Sequence, residues 1–183
     1  MIDPALARGI RLLGLDVDGV LTDNALFIGD VDGSRVEFKR FDVTDGLGMA
    51  LLRGSGIEVA LISGRTSAAT VHRGTELQIS TILQVQGDGK LAAVTALLAE
   101  RGMDWKEMAF VGDDLADVPV LERVGLPIAV ANAQESVKAM CRWVTRAAGG
   151  YGAVREVIET LLKARGDYDG AFARYLGRAE VGS

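Results

Sequence analysis

The sequence predicts an α/β fold in which helices cover both faces of a parallel β-sheet. Short apolar runs, which are typical of buried strands, alternate along the chain with longer segments of helical periodicity. Strands that are separated by single helices pair in parallel, because each helix carries the chain back over the sheet. The length of 183 residues and the 49% content of hydrophobic residues suit one such domain, which would span residues 1–183.

Six apolar runs are predicted to form the sheet, and helical segments lie between them. In chain order the predicted strands are residues 11–16, 57–62, 82–85, 108–111, 128–130 and 143–145. The predicted helices are residues 66–77, 90–101, 115–124 and 136–142, together with a helix that has Asp45 as its N-cap and runs through Leu52.

Residues 25–41 are predicted to form a small β-hairpin flap. Its arms are residues 25–28 and 36–41, and the Gly- and Asp-rich residues 29–33 form the turn. The second arm alternates apolar and charged residues, so one of its faces is expected to contact water. A hairpin of this size cannot bury its own apolar side chains, and an exposed apolar patch predicts an interface with another subunit.

The last helix has the clearest pattern of all. Apolar residues recur at i, i+3, i+4, i+7 and i+8 along one face, at Val154, Val157, Ile158, Leu161 and Leu162. After Gly166, a C-terminal tail of residues 166–183 carries three aromatic residues among small and charged ones. No structure is predicted for this tail.

Composition and charge exclude several classes of protein. The net charge is −5 and no stripe of Lys and Arg occurs, so no nucleic-acid partner is expected. The single cysteine, Cys141, cannot form an intramolecular disulfide. No apolar run approaches the ~18 residues of a membrane span, and the N-terminus lacks a signal-peptide pattern. These features predict a cytoplasmic protein with no membrane partner.

Acidic, hydroxyl and basic residues stand where the predicted strands end. Asp16 and Asp18 follow the first strand, Ser63, Gly64 and Arg65 the second, Lys90 the third, and Asp113, Asp114 and Asp117 the fourth. The carboxyl ends of parallel strands meet at one edge of the sheet, where ligands bind. Carboxylates gathered there would repel one another unless a divalent cation neutralised them. A few carboxylate ligands favour Mg²⁺ as that cation.

These residue types suit the hydrolysis of a phosphate ester. A carboxylate can attack a phosphorus atom and form an aspartyl-phosphate. A second carboxylate, two residues further on, can protonate the leaving oxygen and then activate water. Ser63 can donate a hydrogen bond to a phosphoryl oxygen, and Lys90 can offset the negative charge that develops there.

Single members of this set also have structural interpretations. Asp16 and Asp18 could simply end a strand and begin a turn, Ser63 could cap the next helix, and Asp117 could be an acid favoured by a helix dipole. Residues 87–92 match a permissive dinucleotide-binding fingerprint, but they follow a short strand late in the chain. The occurrence of all four groups at successive strand ends favours the catalytic interpretation.

The four strand-end motifs resemble, in type and order, those of the haloacid dehalogenase superfamily. They are Asp16-x-Asp18-Gly19, Ser63-Gly64-Arg65, Lys90 and Gly112-Asp113-Asp114-x-x-Asp117. The closer resemblance is to the 3-deoxy-D-manno-octulosonate 8-phosphate phosphatase family. It rests on residues 15–23, 45–48, 111–114 and 149–156 and extends from about Leu12 to Leu162. It implies a three-layer Rossmann-like sheet with a hairpin flap and no cap domain.

The resemblance also implies a role for each motif residue. Asp16 would be the nucleophile and Asp18 the general acid/base, with Ser63 and Lys90 completing the catalytic set. Mg²⁺ would be held by the carboxylates of Asp16 and Asp113 and the backbone carbonyl of Asp18. Asp114 and Asp117 would be outer supports. The phosphate group would contact Asp16, Gly19, Ser63, Gly64, Arg65 and Lys90.

The expected function is that of a Mg²⁺-dependent phosphatase for a phosphorylated acidic sugar, first of all 3-deoxy-D-manno-octulosonate 8-phosphate. A sialic-acid-like nonulosonate 9-phosphate, or another small phosphomonoester, is the alternative substrate. Thr44 and Tyr151 depart from the family pattern, because an arginine is common at both positions. Basic residues there would suit an acidic sugar, so these departures leave the substrate open.

The resemblance further implies a homotetramer in which the hairpins pack together and wall in the active sites. The sequence independently predicts a cover from a neighbouring subunit, because residues 24–44 and 66–89 are too few to hold a lid domain. Two other classes remain as alternatives, a receiver-like signalling domain and a catalytically silent tetramerisation module. Asp18, placed to hydrolyse a phospho-aspartate quickly, opposes the first, and the intact set of catalytic residues opposes the second.

Overall fold

The computed structural model describes residues 2–87 and 89–178, and its centre is a parallel sheet. In chain order the strands are β1 (Leu12–Leu15), β2 (Phe27–Val31), β3 (Ser34–Phe38), β4 (Glu58–Ser63), β5 (Thr81–Gln84), β6 (Met108–Gly112), β7 (Leu126–Ala129) and β8 (Trp143–Val144). Six of them form the sheet in the order β5-β4-β1-β6-β7-β8, and β2 and β3 form a separate antiparallel hairpin.

One helix precedes the first strand, and the others lie between the strands or after the last one. They are α1 (Pro4–Gly9), α2 (Val43–Leu52), α3 (Ala68–Glu76), α4 (Lys90–Arg101), α5 (Val118–Leu121), α6 (Glu135–Met140), α7 (Ala153–Arg165) and α8 (Tyr168–Tyr175). Helix α2 packs against α7, and α1 and α8 contact this pair, whereas α4 packs against α5. The predicted α/β fold, with a parallel sheet and helices around it, is confirmed.

The order of the strands determines where the site lies. β1 pairs with β4 on one side and with β6 on the other, so that Leu15 is opposite both Leu61 and Val111. The chain therefore moves outward from β1 in both directions, and the carboxyl end of β1 is a switch point at which open α/β sheets bind ligands. Every residue of β1, β6 and β7 is buried, so the strands that lead to this edge belong to the core.

The apolar face predicted for the last helix is confirmed. Val154, Val157, Ile158, Leu161 and Leu162 are all fully buried in α7. No helix was predicted in the tail, but residues 168–175 form α8, in which Ala171 is buried. This segment is short and rich in small residues, so its sequence does not indicate a helix. Tertiary packing stabilises the helix instead. Residues 179–183 of the predicted tail lie outside the described part of the chain.

Two predicted helices depart most from the structure. Helix α2 begins at Val43, and its N-cap is Asp42, whose carboxylate accepts a hydrogen bond from the backbone N–H of Thr44. Asp45 is instead fully buried inside the helix. The predicted helix over residues 115–124 is a 3₁₀ turn, Leu115–Asp117, followed by the single turn of α5.

The hairpin is present, but its arms differ from the prediction. β2 and β3 are joined by a two-residue turn at Asp32 and Gly33, both with positive φ. Asp30, predicted to lie in the turn, belongs to β2, and its side chain accepts a hydrogen bond from the N–H of Gly33. Turn-forming residues thus extend into the strand, because an Asp-Gly pair alone suffices for a tight hairpin turn.

The described residues contain no inserted cap domain, and this hairpin is what lies between β1 and α2. Of the helices that the structure describes, none has the length and apolar character needed to cross a bilayer. The cytoplasmic location expected from the sequence stays a prediction.

Candidate active site

Three acidic side chains and one lysine meet at the carboxyl edge of the sheet. Asp16 follows β1, Asp113 and Asp117 follow β6, and Lys90 begins α4. The Lys90 ammonium lies 2.5 Å from Asp16 Oδ1 and 2.7 Å from Asp117 Oδ1. Carboxylate oxygens of Asp16, Asp113 and Asp117 all lie within 4.8 Å of one another, and each of these residues is buried. The structure therefore brings together residues that the sequence placed at separate strand ends.

Burial sets the electrostatics of this cluster. The pKa of Asp16 is raised well above its usual range, chiefly by desolvation and then by the charge of Asp117. Desolvation, followed by the charges of Asp117 and Asp114, raises the pKa of Asp113 to about 7. Burial by itself would lower the pKa of Lys90, but Asp16 and Asp117 together raise it. Lys90 is thus a firmly charged cation, and the carboxylates lack sufficient compensating charge.

Asp117 supports the cluster from behind. Its Oδ1 contacts Lys90, and its Oδ2 accepts a hydrogen bond from the backbone N–H of Asp113 at 2.9 Å. Asp114 is exposed, and its side chain accepts a hydrogen bond from the N–H of Leu115. Both residues therefore shape the turn after β6, and the structural interpretation of Asp117 describes part of what it does.

The loop after β1 requires a glycine. Gly19 has a φ of +97°, and a Cβ at this position would overlap the carboxylate of Asp113. The side chain of Thr22 holds the loop closed, since its hydroxyl accepts from the N–H of Gly19 and donates to the carbonyl of Val17 at 3.2 Å. The predicted Asp16-x-Asp18-Gly19 motif thus folds as a tight, buried turn against Asp113.

Asn132 was missed by the sequence analysis. Its Nδ2 donates to the carbonyl of Gly19 at 3.3 Å, and its Oδ1 accepts from the N–H of Gly149 at 2.6 Å. It therefore ties the loop after β1 to the glycine-rich segment before α7. Asn132 follows β7 at its carboxyl end, so the rule that identified the other strand-end residues could have found it.

Asp18 lies beside the hairpin rather than within the carboxylate cluster. Its Oδ1 is 2.7 Å from the ammonium of Lys39, a residue just after β3 that the sequence analysis also missed. The alternation of residues 36–41 indicated one wet face, but the charged side of the arm turns inward at Lys39. Phe38, on the opposite side, is 63% exposed.

Ser63 is buried at the end of β4, but its hydroxyl does not line the cavity at this edge. It accepts a hydrogen bond from the backbone N–H of Arg65 and donates one to the carbonyl of the same residue. The alternative role of Ser63 as a helix cap is wrong, because Ser67 caps α3. Arg65 lines the cavity and pairs with Glu37 of β3 at 3.3 Å.

A cavity of about 290 Å³ opens above the cluster. It is lined by Asp16, Asp18, Asn24, Gly64, Arg65, Gly87, Lys90, Asp113, Asp114, Ala116 and Asp117. A larger groove, of about 700 Å³, runs between β3 and α3 and has Phe38 and Arg73 among its lining residues. We place the chemistry in the smaller cavity, because the nucleophile candidate and the buried cation both face it.

Comparisons with known proteins identify first the class and then the family. A family model described as a haloacid dehalogenase-like hydrolase matches residues 83–158. The chain is 45% identical to the 3-deoxy-D-manno-octulosonate 8-phosphate phosphatase KdsC of Escherichia coli K12 over 167 residues, covering 91% of this chain and 87% of the relative. The chain belongs to the 3-deoxy-D-manno-octulosonate 8-phosphate phosphatase family and is a phosphoric monoester hydrolase. The predicted membership is confirmed.

Solved structures agree with this assignment. The phosphatase of Yersinia pestis superposes with a TM-score of 0.85 at 41% identity, covering 91% of this chain and 88% of that one. The phosphatase of Moraxella catarrhalis, in complex with a magnesium ion, a phosphate ion and a KDO molecule, has a TM-score of 0.87 at 40% identity and covers 94% and 97%. The acidic triad and this magnesium-bound relative bear out the predicted cofactor.

Proposed function

We propose that the chain, as one hydrolase domain of residues 1–183, hydrolyses 3-deoxy-D-manno-octulosonate 8-phosphate through an aspartyl-phosphate on Asp16. The observation that carries this proposal is the buried group of Asp16, Asp113 and Lys90 at the switch point of the sheet. A relative at 40% identity binds Mg²⁺, phosphate and KDO, and this supports the same ligands here.

The residues present fit a magnesium ion. The donors are all carboxylate oxygens, and burial together with mutual repulsion raises the pKa of Asp16 and Asp113, a penalty that a divalent cation would remove. The carboxylates of Asp16 and Asp113 and the carbonyl of Asp18 would hold the ion. Asp117 is already engaged by Lys90 and by the N–H of Asp113. Mg²⁺ would neutralise charge on the phosphoryl group.

The reaction uses two carboxylates in turn. A carboxylate oxygen of Asp16 attacks phosphorus, the bond from phosphorus to the sugar oxygen breaks, and Asp18 gives a proton to that oxygen. Asp18 then takes a proton from a water that attacks the phosphorus of the aspartyl-phosphate, which releases inorganic phosphate and restores Asp16. Lys90 stabilises the charge on the phosphoryl oxygens and keeps Asp16 oriented.

Basic side chains near the cavity support an acidic sugar as substrate. Arg65 lines the cavity. Tyr151 replaces a common arginine of the family, yet the guanidinium of Arg40 lies 4.1 Å from the centre of its ring. Arg40 therefore supplies positive charge to the segment in which the sequence lacks it. Thr44 has a different role, because its hydroxyl donates to Asp42.

We also infer that the chain assembles as a homotetramer through its hairpins. Phe27, Ile28 and Phe38 are 57%, 59% and 63% exposed on this small element. An apolar surface of this kind is normally covered in solution, and covering it would also shield the cavity from water.

The test is turnover of a panel of sugar phosphates in the presence of Mg²⁺, with and without EDTA. We expect 3-deoxy-D-manno-octulosonate 8-phosphate to give the highest kcat/KM and EDTA to abolish turnover. Preference for a nonulosonate 9-phosphate would overturn the substrate and leave the reaction standing. Full activity in EDTA would overturn the role of the metal.

A further inference from the structure

Lys39 combines features that ordinary surface lysines lack. It follows β3, and the neighbouring Phe38 is 63% exposed. The side chain of Lys39 is nevertheless 0% exposed, although lysines are almost never fully buried without a partner. A buried ammonium at this place therefore has a specific task.

Three polar groups surround the ammonium of Lys39. Asp18 Oδ1 lies at 2.7 Å, the hydroxyl of Thr70 at 3.4 Å and Glu37 Oε1 at 3.7 Å. The shortest of these contacts is the one to Asp18, and at this distance the two groups form a close ion pair. Thr70 is fully buried in α3, so the ammonium is also held by a group of that helix.

The position of Asp18 explains why such a contact matters. Asp18 lies in the turn after β1 and has a non-helical backbone there. Its carboxylate must act in both half-reactions, first toward the sugar oxygen and then toward water, from one place. A displacement of about 1 Å can cost ~10²-fold in rate when reacting groups must be aligned.

We propose that Lys39 is a positioning residue of the reaction, which holds the carboxylate of Asp18 in place from the hairpin. This inference rests on the proposed function, because it assumes that Asp18 is the general acid/base. The element that carries the exposed apolar face thereby also supplies a side chain to the catalytic edge. Its three polar neighbours turn the Lys39 ammonium toward protein groups, which distinguishes it from a substrate-binding lysine.

Arg35 provides a matched control. It lies on β3, the strand that Lys39 follows, and pairs with the same carboxylate, Glu37, at 3.9 Å. Its side chain is 64% exposed, and no contact to Asp18 is found for it within residues 2–87 and 89–178. Variants of both residues therefore remove a positive charge that pairs with Glu37, whereas only variants of Lys39 remove the contact to Asp18.

The experiment measures kcat and KM for 3-deoxy-D-manno-octulosonate 8-phosphate with saturating Mg²⁺. The variants are Lys39→Met, Lys39→Arg, Arg35→Met, Asp18→Asn and the double variant of Lys39→Met with Asp18→Asn. We expect Lys39→Met to lower kcat by about tenfold with KM within about twofold, Lys39→Arg to restore most of the loss, and Arg35→Met to change neither. Asp18→Asn should lower kcat by about 10²-fold or more.

The double variant decides whether Lys39 acts through Asp18. We expect its kcat to equal that of Asp18→Asn, because the lysine has no acid/base left to position. If the losses of kcat in the two single variants multiply in the double variant, or if KM rises in Lys39→Met, Lys39 acts on the substrate and the proposal is overturned. If kcat is unchanged in Lys39→Met while Asp18→Asn is impaired, the role of Lys39 is overturned and the proposed function stands.

Two further outcomes separate this inference from the function beneath it. Near-normal activity of Asp18→Asn would overturn the acid/base assignment and the role of Lys39 together. Circular dichroism melting checks that each variant is folded. Should Lys39→Met fail to fold, Lys39→Gln, which is shorter and uncharged but keeps a polar end, takes its place with the same expected loss of kcat, because the positive charge beside Asp18 is again removed.

Discussion

Charged side chains usually lie at the surface of a protein and large apolar side chains in its core. The catalytic edge and the hairpin depart from this rule in opposite ways. At the edge, Asp16, Lys90 and Asp117 are 4%, 4% and 1% exposed. On the hairpin, Phe27 and Phe38 are directly opposite each other and are 57% and 63% exposed. Charges are buried in one region and large apolar side chains meet water in the other.

Both regions are incomplete in the isolated chain, and what each lacks is different. The edge holds three carboxylates and one lysine, so its excess negative charge calls for a cation. The hairpin has apolar surface on an element too small to cover it, which calls for another protein surface. Charge and apolar area therefore predict different partners for two regions of one molecule.

Asp16→Asn is expected to affect catalysis at the edge strongly without destabilising the fold. An amide is a poor nucleophile and a poor ligand for Mg²⁺, so we expect kcat to fall by about 10⁴-fold or more. The fold should not suffer, because the substitution removes one of the carboxylates that burial destabilises, and Lys90 keeps its contact with Asp117. Urea unfolding without Mg²⁺ should give a midpoint no lower than that of the wild type.

Glu122→Gln is the control, since it removes a negative charge from an exposed position. It should leave both kcat and the urea midpoint unchanged. Near-normal turnover by a well-folded Asp16→Asn protein would contradict the covalent mechanism. A lower midpoint would contradict the view that the buried charges at the edge are a cost to folding.

The hairpin counterpart is the double change of Phe27 and Phe38 to Glu. Light scattering should show dissociation of the assembly, because four or more such charges would meet where the apolar surfaces pack in an oligomer. Loss of the neighbouring cover should raise the barrier by about 1–2 kcal/mol, or about tenfold in kcat, although the catalytic edge is untouched.

Phe172→Glu, on an apolar residue of α8 that is 47% exposed, should leave the assembly intact. A wild-type monomer that is fully active on a small sugar phosphate would refute the shared site. It would leave the chemistry of Asp16 standing, because the mechanism at the catalytic edge does not depend on assembly through the hairpin.

The same two regions show what the sequence could and could not predict about the fold. Periodicity predicts the strands of the sheet and helix α4, because apolar residues recur in them at regular intervals. The bounds of α4, Lys90–Arg101, match the prediction. The hairpin arms were displaced, because Gly29 and Asp30 are turn-forming residues that here lie in a strand. Helix α8 was missed, because its stability comes from packing rather than from its own pattern.

For the site, the positions of residues at strand ends could be predicted from the sequence, whereas the directions of their side chains could not. Asp16, Lys90 and Asp113 meet as the motif order predicted, since topology alone brings those strand ends together. Ser63 and Lys39 depend on local geometry. Ser63 bonds to the backbone of Arg65, and Lys39 turns inward from an arm whose pattern indicated a wet face. Neither direction can be read from residue spacing.

A weaker effect is expected at Asp45, a buried carboxylate outside the catalytic edge. Asp45 is fully buried in α2 and accepts a hydrogen bond from the N–H of Arg155 at 2.8 Å. Desolvation raises its pKa from 3.8 to about 6. The folded state thus holds this proton more tightly than the unfolded state, so the wild type loses stability as pH rises from about 4 to 6.

Asp45→Asn keeps an acceptor for Arg155 and removes the charge. We expect its free energy of unfolding to gain on the wild type by up to about 3 kcal/mol between pH 4 and pH 7, with kcat unchanged. Urea titrations at equal protein concentration measure the difference. If the two proteins keep a constant difference across this range, burial of the Asp45 charge has no cost.

Asp42, three residues earlier, supplies the opposite case. Hydrogen bonds from the side chain and backbone of Thr44 lower the pKa of Asp42, so its charged form stabilises the fold. That contribution is present at neutral pH and is lost as pH falls below about 4, so Asp42→Asn should lose ground to the wild type as pH rises. Opposite trends for Asp42 and Asp45 would show that a carboxylate costs stability where it is buried without compensation. The expectation of a cation at the catalytic edge rests on the same cost. If the Asp42 and Asp45 variants instead showed the same trend with pH, this reason to expect a cation at the edge would be lost.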